Sequence, residues 1–282
     1  MTTPAFTYRF GPRAYDLGSR TFLMGVLNVT PDSFSDGGRY ADAESAVRHG
    51  LRMVAEGADF IDVGGESSRP GAEPVPADEE LRRVLPVITR LRAETSVPIS
   101  IDTTKPEVAG PALDAGAVIV NDITGLASGP ALADVAARSG ASMVLMHMKG
   151  TPKTMQEAPV YADVMGEIAA SLERGVALAR SRGVEQVIVD PGIGFGKLLA
   201  HNLEILRSLR ALDRLGCPIL VGPSRKSFLG QITGLEAGER LHATAGAVAV
   251  AAMQGAHIVR VHDVREMRQV AQVVDAVLQP TR

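Results

Sequence analysis

Eight short apolar runs, alternating with stretches of helical period, constrain this chain more than any other feature of its sequence. The runs cover residues 22–27, 60–63, 98–101, 118–120, 142–146, 186–189, 218–221 and 258–261. They are brief, rich in β-branched residues and nearly continuous, the pattern of strands buried on both faces. Amphipathic helical patterns lie between them, for instance at 43–56, 78–94 and 163–182. Such alternation implies parallel strands joined by crossover helices. Two architectures satisfy it: a doubly wound open sheet and a closed (β/α)8 TIM barrel. Eight units with no Pro/Ser-rich linker in 282 residues favour the barrel, which uses about 35 residues per unit. The expected organisation is an N-terminal extension over residues 1–20, with the makings of a small hairpin, and one barrel over residues 21–282.

Composition narrows the function classes. A hydrophobic content of 45% with 29 glycines describes a packed, loop-rich chain and not a disordered one. The formal net charge of −3 leaves no broad electrostatic footprint for nucleic acid. The single cysteine, Cys217, rules out an intrachain disulfide and fits a reduced cytoplasm. No positively charged start precedes an apolar run, and no apolar stretch reaches the roughly 20 residues that span a bilayer. The expectation is a soluble cytoplasmic protein.

A polar residue follows almost every apolar run. These are Asn28, Asp62, Asp102, Asn121 with Asp122, His147, Asp190, Ser224 with Arg225 and Lys226, and His262 with Asp263. In a barrel such positions converge on the C-terminal rim, where active sites of this fold are built. Helix capping would account for some of them. Asp102, Asn121 and Asp190 offer acceptors that need N–H partners if buried; a ligand with a donor edge, such as an aminated heterocycle, would supply them. Arg69, Arg225, Lys226, Arg260 and His262 gather positive charge suited to a phosphate or pyrophosphate. Within this set Arg225 reads better as a surface salt bridge. Arg260 sits inside a strand pattern, where an idle charge would be costly.

Several motifs point less far. The segment from Gly192 to Lys197 resembles a nucleotide loop, but Lys197 stands where a dinucleotide fingerprint has its third glycine, and Leu198 stands where a Walker A loop has Ser or Thr. It reads as a tight loop that carries Phe195 toward a pocket, although Phe195 would serve equally as core. No cluster has structural-zinc spacing. His49, His201, His242 and His257 read as structural or solvated, and His147 as a satisfied core histidine that could line the barrel floor. Two polar, glycine-rich loops, 30–39 and 66–76, follow the first two strands, and 149–161 forms another long connection.

The segment 24–38, Met-Gly-Val-Leu-Asn-Val-Thr-Pro-Asp-Ser-Phe-Ser-Asp-Gly-Gly, resembles the first signature of the bacterial dihydropteroate synthase family. The segment 62–72, Asp-Val-Gly-Gly-Glu-Ser-Ser-Arg-Pro-Gly-Ala, resembles the second. Further matches lie at 101–103, 121–122, 146–147, 190–197, 224–229 and 259–264, in family order from residue 22 to about 265. Departures are small: Leu198 replaces a frequent Thr, and Ser68 stands where some members carry Thr, with a hydroxyl that can bond in the same way.

The resemblance implies an enzyme that joins 6-hydroxymethyl-7,8-dihydropterin pyrophosphate to 4-aminobenzoate, with magnesium, and that sulfonamides inhibit. It implies a pterin site at Asp102, Asn121, Asp190 and Lys226. Pyrophosphate would lie near Asn28, Arg69, Arg260 and His262, with Asn28 also on the metal. The aminobenzoate would lie near Ser68, Pro70, Phe195, Lys226 and Ser227. Asp36, in the first loop, becomes the partner of a developing cation, so that Asp36, Arg69, Lys226, Arg260 and His262 form the catalytic set. The loops 30–39 and 66–76 would act as lids that exclude water. A homodimer through the outer helices is also implied. Two other readings share the pterin site: a methyltransferase barrel, which is expected to lack the Ser-Arg-Pro-Gly and Ser-Arg-Lys segments present here, and a non-catalytic paralogue, which degenerate loops would mark.

Overall fold

An antiparallel hairpin, β1 (Phe6–Phe10) and β2 (Arg13–Leu17), opens the chain in a computed structural model that describes residues 3–30, 38–68, 71–151, 153–155 and 159–278. The eight apolar runs become eight parallel strands. They are β3 (Phe22–Asn28), β4 (Phe60–Gly64), β5 (Ile99–Asp102), β6 (Ile119–Asp122), β7 (Ser142–Met146), β8 (Val187–Asp190), β9 (Leu220–Val221) and β10 (Ile258–Val261). Their order is β8-β7-β6-β5-β4-β3-β10-β9. A parallel bridge between Val189 and Ile219, with the Val189 N–H donating to the Pro218 carbonyl at 2.9 Å, joins the two ends and closes the (β/α)8 barrel.

Helices fill every crossover: α1 (Gly38–Ala55), α2 (Ala77–Glu94), α3 (Pro106–Asp114), α4 (Ala131–Arg138), α5 (Val164–Ser181), α6 (Leu199–Arg207), α7 (Ser227–Thr233) and α8 (Leu241–Met253), with α9 (Val264–Leu278) after the last strand. Local chemistry sets their limits. Asp163 caps α5 by accepting the Gly166 N–H at 3.0 Å. The buried residues of α2, namely Glu80, Val84, Val87, Ile88 and Leu91, recur at helical spacing and face the sheet.

Two apolar layers explain why the strands read as continuous hydrophobic runs. In β3, Leu23 and Leu27 pack outward into the layer beneath the helices, whereas Phe22 and Met24 pack inward. The inner layer is completed by Tyr8, Phe10 and Leu17 of the hairpin, which meet Phe60, Ile119, Ile188 and Ile258. Phe10 packs edge-on to Phe60 with ring centroids 5.0 Å apart. His257 ties the hairpin down, its Nε2 lying 2.9 Å from the Pro4 carbonyl oxygen while its Nδ1 accepts the Ile219 N–H at 3.0 Å. The extension thus stoppers the N-terminal end of the barrel and leaves chemistry to the opposite end.

Five strands, β3, β4, β5, β6 and β8, end beyond their apolar runs. Asn28, Asp102, Asp122 and Asp190 are the last residues of strands and Asn121 the last but one, not the first residues of loops, because a polar side chain at a strand end need not break the backbone ladder. Asp62 lies in the middle of β4.

Candidate active site

Parallel register aligns the rim. Asn28 pairs with Gly64, Gly64 with Asp102, and Asp102 with Asn121. Across the barrel Asp190 pairs with Met146. Asp102, Asn121, Asp190, Lys226 and Arg260 therefore line one cavity at the C-terminal mouth, joined by Ser68 and Phe195.

Arg260 organises the floor. Its Nε donates to Asp62 Oδ2 at 2.6 Å and its Nη2 to Asp102 Oδ2 at 2.8 Å. Asn121 Nδ2 donates to the same Asp62 oxygen at 2.9 Å. Asp62 is fully buried, so its charge depends on these donors. Asp190 Oδ1 accepts the Gly192 N–H at 2.7 Å. Asp102 Oδ1 and Asp190 Oδ2 lack a hydrogen-bond partner among the described residues, and both belong to the cavity. The site thus presents two carboxylate oxygens, open to the cavity, to a ligand that brings N–H groups.

Burial brings the titration of these groups toward neutral pH. The Asp102 carboxyl is pushed up to about 7 by burial and by the charge of Asp62, with Arg260 pulling the other way. Asp190 is pushed up to about 6 by burial, opposed by the Gly192 N–H and by Lys226. Lys226 is brought down to about 8 by burial and by Arg260, against the attraction of Asp190 and Asp102. Titrating groups clustered in a cleft are a signature of functional chemistry.

One wall is apolar and braced from behind. Phe195 packs with Met146 and Met155, and the Lys226 ammonium lies 3.8 Å from its ring centroid. Phe195 is therefore both core and pocket. Two glycines make this approach possible. A Cβ at Gly192, where φ is +69°, would lie 1.9 Å from the His147 carbonyl oxygen, and one at Gly194, where φ is +83°, would meet the Lys226 stem at 3.0 Å. Behind the loop the buried Lys197 donates to the Phe195 and His147 carbonyls at 2.9 and 3.2 Å, and its Nζ sits 3.1 Å from His147 Nδ1. His147, which follows the last residue of β7 at the C-terminal end of the barrel, is buried and partnered by Lys197, in keeping with a satisfied core histidine.

The rim residues divide by partner. Arg225 is engaged by Asp263, with Nε–Oδ2 and Nη2–Oδ1 distances of 3.0 and 2.5 Å, as a salt bridge. Asp122 builds a turn, Oδ1 accepting from the Thr124 N–H at 2.8 Å and Oδ2 from the Leu126 N–H at 2.7 Å. His262 lies half-buried beside Ser224. Ser227 is the first residue of α7. Asp36, Arg69, Pro70 and the greater part of loop 30–39 lie outside the described residues.

The donor set bears on the metal. Among the described residues no group of three or more His, Cys, Asp or Glu side chains could hold an ion. The half-buried Asn28 carboxamide at the end of β3 offers one neutral oxygen. That set suits a cation carried chiefly by substrate phosphates and water, as magnesium commonly is.

Sequence reasoning assigned no role to Asp62, Lys197 or Ser224. Asp62 carried the same signal as Arg260, an ionisable residue within a buried run. Lys197 was obscured by its likeness to a nucleotide loop.

Comparison with known proteins agrees with this geometry. The family described as pterin binding enzyme matches residues 24–262. The dihydropteroate synthase of Synechocystis sp. is 50% identical over 269 residues, covering 94% of this chain and 93% of its own. The crystal structure of the Yersinia pestis dihydropteroate synthase with a sulfonamide drug complex superposes with a TM-score of 0.91 at 42% identity, covering 97% of this chain and 99% of that one. The dihydropteroate synthase of Xanthomonas albilineans in complex with 7,8-dihydropteroate gives a TM-score of 0.87 at 42% identity, covering 96% and 98%.

Proposed function

This chain belongs to the pterin binding enzyme family, and on that premise we infer that it condenses 6-hydroxymethyl-7,8-dihydropterin pyrophosphate with 4-aminobenzoate, giving 7,8-dihydropteroate and pyrophosphate for folate biosynthesis. The observation that carries this reading is the pair of carboxylates, Asp102 and Asp190, each with one oxygen that has no partner among the described residues, in the cavity that Asn121 and Lys226 share.

In this account Asp190 accepts adjacent N–H groups of the pterin, and Asp102 and Asn121 hold its far edge. The bond between the methylene carbon and the pyrophosphate oxygen breaks, and the electron pair leaves with pyrophosphate. Positive charge on the methylene spreads into the ring, where buried carboxylates stabilise it; Asp36 is assigned the nearest counter-charge. The aminobenzoate nitrogen then forms the new bond and releases a proton. Its ring packs on Phe195 beside Ser68 and Pro70, and its carboxylate lies by Ser227 with Lys226 nearby. Asn28, Arg69, His262 and the Nη1 of Arg260, which has no partner among the described residues, receive the pyrophosphate. Asn28 would help hold a magnesium ion carried by the substrate phosphates, and that ion would supply charge neutralisation at the leaving group.

Sulfonamides should compete with 4-aminobenzoate, since an aniline ring with a sulfonyl group copies the substrate's ring and carboxylate. Initial rates at several concentrations of each check this. The apparent inhibition constant should rise in proportion to 4-aminobenzoate. Inhibition that excess 4-aminobenzoate cannot relieve would remove the shared site.

The reading extends to a cytoplasmic homodimer docked through outer helices. Among the described residues no helix is long and apolar enough to cross a membrane. The sequence of α8, Leu-His-Ala-Thr-Ala-Gly-Ala-Val-Ala-Val-Ala-Ala-Met, is apolar on nearly all sides, yet Val250 and Met253 are 42% and 51% exposed; a second copy would cover them. Light scattering should give twice the 29.7 kDa of one chain, and a monomer at micromolar concentration would contradict it.

A further inference from the structure

His262 follows the last residue of β10 and sits among cations. Burial, then Arg260 and Arg225, bring it down to about 4, so its imidazole is neutral at neutral pH. A neutral imidazole has one N–H and one lone pair. The nitrogen that carries the proton decides whether the ring greets an anion as a donor or repels it as an acceptor. Asp263 does not decide this, because both of its oxygens face Arg225.

Ser224 is placed to decide it. Its Oγ accepts the backbone N–H of His262 at 3.2 Å and lies 2.9 Å from His262 Nδ1. Ser224 is 5% exposed, and its hydroxyl has no other acceptor among the described residues. A proton on Nδ1 would make Oγ accept twice and leave its own buried O–H unpaired, which is costly. A proton on Nε2 satisfies all three groups, with Oγ–H donating to Nδ1. The turn that holds Ser224 is itself clamped. The Arg225 N–H donates to Thr244 Oγ1 at 3.0 Å, and Arg240 Nη1 donates to the Arg225 carbonyl at 3.1 Å. Arg225 takes the left-handed φ of +57° there.

We propose that Ser224 is a positioning residue that fixes His262 in the tautomer protonated on Nε2, supplying the N–H that a phosphate oxygen of the substrate needs. This role rests on the reading of the rim as the pyrophosphate end. The arrangement follows the general rule that the bond made by one ring nitrogen sets the state of the other.

Histidine-selective 15N labelling of the full chain, with long-range proton–nitrogen correlation at neutral pH, tests the tautomer directly; His262→Gln assigns the signals. The wild type should show Nδ1 bare and Nε2 protonated. Ser224→Ala should mix the tautomers and raise KM for the pterin pyrophosphate about tenfold. It should leave KM for 4-aminobenzoate and the affinity for a pterin lacking pyrophosphate unchanged. Ser224→Thr should restore both spectrum and KM. A proton on Nδ1 in the wild type would overturn the proposal, as would an unchanged tautomer or an unchanged KM in Ser224→Ala. Should Ser224→Ala fail to fold, the wild-type and Ser224→Thr spectra decide. Absence of turnover in the wild type would sink the functional reading alone, and the spectrum would still decide the tautomer.

Discussion

Replacing Asp190 by asparagine is expected to weaken dihydropterin binding by about 2–4 kcal/mol, roughly 30- to 1000-fold. The side chain keeps its size, and its oxygen can still accept the Gly192 N–H that Oδ1 now accepts at 2.7 Å. The amide then turns its NH2 toward the ligand, a donor facing a donor. Proton linkage gives a second reading. Burial pushes the wild-type carboxyl up to about 6, and the ionised form is the acceptor. Affinity should therefore fall as pH drops below about 6, and the variant should lose this step while keeping the one from Asp102, whose carboxyl lies at about 7. Stability moves the other way. A carboxyl whose folded pKa is raised contributes stability that is full below its unfolded value and is lost as pH rises through about 6. Asparagine removes that buried charge, so the unliganded variant should be at least as stable as wild type at pH 7. Calorimetry of pterin binding between pH 5 and 8 provides the measurement. Unchanged affinity would mean that the anchor lies elsewhere.

Arg260→Met should destabilise the fold by about 3–5 kcal/mol at neutral pH. The guanidinium is the shared counter-charge of Asp62, which is fully buried, and of Asp102. Removing it leaves two carboxylates close together in a low-dielectric mouth, with the Asn121 amide as the remaining donor to Asp62 among the described residues. Asp102, already pushed up to about 7, should move higher. Since protonation relieves the repulsion, the deficit should shrink as pH is lowered from 8 to 5. Arg260→Lys should recover part of the loss, because it restores charge without the planar fork that reaches both partners. Denaturant titrations across that range check the prediction. A loss of under about 1 kcal/mol at neutral pH would show that the floor does not depend on this pairing.

The barrel was legible because each strand, buried on both faces, leaves an almost unbroken apolar run, and because inward-facing polar residues collect where those runs stop. Asp102, Asn121, Asp190 and Lys226 stand out in that way, and the structure brings them to one cavity. What the sequence hides is direction and partnership. Asp122 ends a strand and Asp263 lies just past one, as conspicuously as Asp102, yet one closes a turn and the other holds Arg225. Arg260 meets Asp62 and Asp102 across sequence separations of 198 and 158 residues, a contact created by barrel closure that places β10 beside β3. No local pattern encodes it. The bond between Ser224 and His262 is hidden for the same reason. Five strands, β3 to β6 and β8, end past their apolar runs because hydrophobicity marks what a side chain packs against, not whether its backbone joins the ladder.

The central claim is a condensation that requires both substrates, and the most direct measurement follows its two products together. Purified protein with magnesium, 6-hydroxymethyl-7,8-dihydropterin pyrophosphate and 4-aminobenzoate should yield 7,8-dihydropteroate and pyrophosphate in equal amounts. Dihydropteroate should be absent without 4-aminobenzoate, and a chelator should suppress the rate. Full activity in the chelator would remove magnesium from the account. Tight binding of the pterin pyrophosphate with no dihydropteroate formed would contradict the account itself and leave a pterin-binding protein without catalysis.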